Sequence, residues 1–65
     1  MKVTYDPSVD IVRIILRDVS VAESDEEKPG VILDYAEDGS IVGIEILEAS
    51  KRMDNPKVVE YAVAG

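Results

Sequence analysis

Along the chain, hydrophobic positions alternate with polar ones in short runs, and turn-forming residues separate the runs. MKVTY and DIVRIILR flank Asp6-Pro7-Ser8-Val9, where proline fixes φ and has no N–H for a strand ladder, so the first 17 residues read as a hairpin. With those four residues as the loop, Tyr5 faces Asp10, Val3 faces Val12 and Met1 faces Ile14, which makes one face largely apolar. Val19 and Val21 then alternate before the acidic run that begins at Glu23. This predicts a short edge strand whose acidic end discourages further pairing. In GVILDYAEDGSIVGIEILEAS, Asp38-Gly39 is a favoured type I′ dipeptide between two alternating runs. With a two-residue loop there, Tyr35 faces Val42, Leu33 faces Ile44 and Val31 faces Ile46, all apolar on one face. The other face pairs Ala36 with Ile41, Asp34 with Gly43 and Ile32 with Glu45.

Residues 48–54 have room for a helical turn before Asn55-Pro56 stops it, and the tail 57–65 returns to strand-like residues as a last strand or a swapped arm. The expected fold is mainly β (α+β at most). It is a single small domain over residues 1–65, an antiparallel sheet of hairpins with about four to six short strands. One face of that sheet mixes Ile11, Ile15, Ile32 and Ile41 with Arg13, Asp34 and Glu45, more branched aliphatics than a solvated face carries. It is the expected surface for a second subunit or another partner.

Composition narrows the functional classes. A chain of 65 residues buries a small share of its surface, and with Cys at 0 no disulfide can compensate, so a homodimer is expected. Seven Lys and Arg stand against 14 Asp and Glu, a net charge of -7 that disfavours nucleic acid and anionic membrane surfaces as partners. With no basic leader and no long apolar run, a cytoplasmic protein is expected. His is 0 as well, which removes the imidazole base, the thiolate nucleophile and the usual zinc or copper sites; no cofactor is expected. The serines have no histidine to activate them, and paired carboxylates need a walled cleft that so short a chain has little material to build, so no catalytic residue is assigned. Glu23, Asp25, Glu26 and Glu27 read either as a solvated guard on a sheet edge or as a patch that steers a basic protein partner.

DYAEDGSIVGIE, residues 34–45, matches a calcium-loop template at Asp34, Asp38, Gly39 and Glu45. Ala36 and Val42 stand where oxygen ligands belong, and both flanks have the period of strands, whereas the template expects helices. A hairpin places Asp34 on one strand, Asp38 in the turn and Glu45 on the partner strand, so the carboxylates are not expected to converge and no metal site is assigned. The alternative to a partner-binding role is a ligand- or cation-binding module whose site forms between subunits from these acids.

Taken together, the Tyr5-Asp6 start, the acidic loop, Pro29-Gly30, Leu33-Asp34-Tyr35, Asp38-Gly39 and the strand Gly43-Ile44-Glu45-Ile46-Leu47 are in an order that resembles a small prokaryotic family, domain of unknown function 2283, over residues 3–52. The resemblance implies a short β-rich domain with no established activity and no catalytic residues to carry over. It also implies an antitoxin-like role, since members of that family are at times encoded beside small toxin-like proteins of a ribonuclease-related type. Many antitoxins carry a DNA-binding segment, and this chain has no basic or helix-turn-helix stretch. Neutralisation would rest on binding and charge complementarity.

Overall fold

In the computed structural model, which describes residues 1–65, the elements in chain order are β1 (Lys2–Asp6), β2 (Ile11–Ile15), β3 (Glu23–Lys28), β4 (Val31–Tyr35), β5 (Ile41–Leu47) and a short helix, α1 (Ala49–Arg52). They form one five-stranded sheet of order β1-β2-β5-β4-β3, antiparallel throughout. The mainly β architecture expected from the alternation is the one the chain adopts. No helix is long and apolar enough to cross a membrane.

The first hairpin turns one residue later than the sequence predicts. Asp6 pairs with Ile11, so the loop is Pro7–Asp10, and Val3 faces Ile14 where Val12 was expected. Two local devices stabilise this loop. The Asp6 Oδ1 accepts from Ser8 N (2.9 Å) and Ser8 Oγ (2.6 Å), and Asp10 takes a left-handed φ of 57°. The second hairpin departs from type I′, which needs positive φ at both turn residues. Gly39 has φ 87° and Asp38 does not join it. The turn closes instead through Gly39 N to Ala36 O and Ala36 N to Ser40 O, both 2.9 Å. The wider loop forces a bulge, so Tyr35 pairs with Ile41 where Val42 was expected, and Ala36 leaves the ladder. Below the bulge the pairs Asp34–Gly43, Leu33–Ile44, Ile32–Glu45 and Val31–Ile46 are those the alternation predicts.

The acidic run departs further. Its residues are not a tail on an edge strand at Val19–Val21; they are the edge strand, paired to β4 from Glu23–Tyr35 to Lys28–Val31. Residues 58–65 form no strand.

The register sorts the strands into two faces. Val3, Tyr5, Val12, Ile14, Ile44, Ile46, Val31 and Leu33 are joined by direct cross-strand pairs and share one face across four strands. The opposite face carries two mixed rows, Lys2–Ile15–Gly43–Asp34–Ser24 and Thr4–Arg13–Glu45–Ile32–Glu26. The chain supplies no second layer for either face. Of its apolar side chains only Val12, Val42 and Ala49 are buried.

Helix α1 is anchored from a distance. Glu48 enters it at φ 52° without capping it, and the cap comes from the first hairpin loop. Asp10 O accepts from Ala49 N (2.9 Å), Asp10 Oδ1 from Ser50 N (2.9 Å) and Asp10 Oδ2 from Ser50 Oγ (2.6 Å). Tyr5 Oη also donates to Asp10 Oδ1, at 2.8 Å. The Ser50 bonds hold the Asp10 carboxyl below its ordinary pKa, and the bond to Asp10 raises that of the Tyr5 phenol.

Candidate functional site

The mixed face has a carboxyl pair at its centre. Asp34 sits in β4 between β3 and β5 and is 1% exposed, the only charged side chain that the fold buries. The residue across from it is Gly43. A Cβ at Gly43 would lie in ordinary contact with Asp34 Oδ2, at 3.6 Å, but only 2.8 Å from the backbone oxygen of Ile14, so a larger residue would push β5 away from β2. On the other side Ser24 Oγ donates to Asp34 Oδ1 at 2.6 Å. Asp34 Oδ2 is buried and receives no hydrogen bond, a costly state for a carboxylate oxygen.

Glu45, one pair along β5, completes the pair. Its pKa is raised, first by burial and then by the negative charge of Asp34 and a hydrogen-bonding contact with it, while Arg13, directly across on β2, pulls the other way. A protonated Glu45 could donate to the Asp34 carboxyl, whose Oδ2 has no other donor. The arrangement favours the protonated form of Glu45.

The sequence-predicted residues divide accordingly. Register places Ile11, Arg13, Ile15, Ile32, Asp34 and Glu45 on one face, while Ile41 stands at the bulge, 41% exposed. Asp34 and Glu45 come together, contrary to the expectation that the carboxylates stay apart, because diagonal neighbours on one face are within reach of a long side chain. Asp38 does not join them. It stays in the turn, where its Oδ1 accepts from Ser40 N (3.0 Å) and Ser40 Oγ (2.7 Å), bonds that lower its pKa. Nowhere do three acidic side chains gather closely enough to hold a metal ion.

Glu23, Asp25, Glu26 and Glu27 form an exposed acidic border on β3. Glu26 Oε2 accepts from Gly30 N (3.1 Å) and Glu27 Oε1 from the Tyr35 hydroxyl (2.6 Å), which pushes the Tyr35 pKa up to about 12. Glu23 and Asp25 accept no such bond and border a surface hollow with Ser24, Tyr35 and Gly39. Two structural roles escaped sequence reasoning, that of Ser24 toward Asp34 and that of Asp10 toward α1. The first becomes visible only once the acidic run is placed in a strand beside β4. The second links residues 40 positions apart and leaves no local signal.

The model of a family described as a protein of unknown function, DUF2283, matches residues 2–50. No curated protein and no solved structure matches the chain.

Proposed function

The chain belongs to the DUF2283 family, and from that premise we propose that it is a non-catalytic protein-interaction module whose acidic edge receives a basic protein partner, as an antitoxin-like neutraliser of a basic toxin would. The supporting observation is β3, an edge strand whose six residues are all exposed and carry Glu23, Asp25, Glu26 and Glu27. An edge strand offers unpaired N–H and C=O groups to an incoming strand. Its charge selects which strand can approach. A second copy of β3 would be repelled, whereas an extended segment with Lys or Arg at alternate positions meets Glu23 and Asp25, which lie two residues apart and so point to the same side. Beside them, the hollow bordered by Tyr35 gives a cationic side chain both an aromatic surface and two carboxylates free of internal bonds.

The test is an NMR titration with an extended peptide that alternates Lys with Val and Thr, set against the same peptide with Glu in place of Lys. The basic peptide should shift and protect the amides of Glu23–Lys28, weaken as salt rises, and lose its binding when Glu23→Lys and Asp25→Lys are combined. Unmoved β3 amides, or equal binding by the charge-reversed protein, would refute the proposal.

A further inference from the structure

The strands pack edge to edge and no second layer of strands lies over the apolar face. Its side chains, Val12 and Val42 apart, stay partly accessible, and the surface of the chain can be set against that of a compact monomer. The accessible surface is 4968 Å², whereas a compact monomer of 7.1 kDa exposes about 4,100 Å² by the usual mass scaling. The radius of gyration is 12.6 Å, against about 11 Å for a compact domain of this length. Part of the excess, roughly 900 Å², belongs to the exposed tail and the rest to the sheet; the total is close to the share of about 800 Å² that each partner buries in a standard interface. The shape agrees, a slab of 34 × 33 × 19 Å.

We infer that this face, built on β1, β2, β5 and β4, packs against the same face of a second copy, giving a two-layer sandwich. The occupant follows from charge and chemistry. In a chain of net charge -7, the direct pairs that join Val3, Ile14, Ile44 and Leu33 cross four strands without an ionisable side chain that bears charge at neutral pH. Acids appear only at the border, where Asp25 pairs with Leu33, so two copies can meet without opposing their charges. A dry centre with a charged rim is the usual anatomy of a subunit contact. The tail adds to it, with Pro56, Lys57 and Val59 bordering a hollow beside Val3 and Tyr5 and Val58 64%, Val59 61%, Tyr61 74% and Val63 81% exposed. The sequence pattern directs a subunit contact to the mixed face; the continuous charge-free apolar surface makes the stronger case for the opposite one.

Sedimentation equilibrium at micromolar and higher concentration should give twice the 7.1 kDa chain mass, and a single-chain mass throughout would overturn the inference. Leu33→Lys should return the mass to that of one chain, whereas Ile32→Lys, its neighbour on the mixed face, should leave the doubled mass intact; the reverse pattern would overturn it. Should either variant fail to fold, isotope-filtered NOEs on a mixture of labelled and unlabelled wild-type chains decide the matter. Contacts between copies from the methyls of Val3, Leu33 and Ile44 support the sandwich, while contacts confined to Ile11, Ile15 and Ile32 refute it.

Discussion

Replacing Glu45 with Gln tests the carboxyl pair directly. Asp34 Oδ2 is buried without a donor, and Glu45 is beside it with a raised pKa. A Gln side chain keeps the length of Glu and brings an amide N–H that does not depend on pH. A hydrogen bond to a charged acceptor contributes about 1.5–3 kcal/mol, and since Glu45 keeps some contact with solvent we take about 1–2 kcal/mol at neutral pH. In a domain of this size, that raises Tm by roughly 5–15 °C. The gain must depend on pH. Because the folded pKa of Glu45 lies above its unfolded value of about 4.3, its stabilising contribution is complete below the unfolded value and is lost as pH rises through the folded one. Glu45→Gln should therefore gain over wild type at neutral pH and lose that advantage in acid, where wild type carries the proton itself. Asp6, Asp10 and Asp38 have lowered pKa values and act in the opposite sense, but they are common to both proteins and cancel in the difference. Thermal unfolding at matched concentration from pH 4 to 8 measures it. Parallel curves, or a variant less stable at neutral pH, would show that Glu45 does not depend on its proton for its contact with Asp34.

Other positions have their own expected outcomes. Gly43→Ala places a Cβ 2.8 Å from the backbone oxygen of Ile14 and should cost about 1–3 kcal/mol as the strands are forced apart, read as a fall in the denaturant midpoint at unchanged slope. Asp10→Ala removes the remote cap of α1 and should cost about 1–2 kcal/mol. The same change should lower the Tyr5 titration midpoint, seen by ultraviolet absorbance, because the bond to Asp10 is the main cause of its elevation. Gly39→Ala should cost only about 1 kcal/mol, from positive φ with open space around it. Gly30→Ala should cost more by chemical denaturation, because its Cβ would also displace the Arg52 guanidinium, which donates to Pro29 O at 2.6 Å.

Much of the sheet was legible from period two alone, and the first hairpin shows how robust that signal is. Its register shifts by two residues relative to expectation, and an even shift leaves every side chain on its predicted face. The second hairpin was legible up to its turn. What failed there was a backbone angle at Asp38, which no residue pattern reports. The acidic strand was hidden for another reason. Glu, Asp and Ser are poor strand formers, and only pairing with the apolar β4 recruits them. The candidate site was half legible: the pairing of Asp34 with Gly43 was predicted, but the meeting of Asp34 with Glu45 depends on side-chain reach and burial. Asp10 reads locally as a turn acid, and its bonds to α1 exist only after the whole sheet has closed.

The position of β2 beside β5 also determines the order in which the chain can be completed. As translation proceeds, β1 and β2 can close as a local hairpin, but the central neighbour of β2 is the last strand to be synthesised. Closing that long loop is the slow, entropically costly step of assembly. Until Leu47 is available, β2 remains an open edge, and an isolated two-stranded hairpin is marginal in water. A chain cut before β5 should therefore aggregate as a loose hairpin, and refolding should show one dominant phase whose rate responds to changes in β2 and β5 and is nearly indifferent to changes in β3.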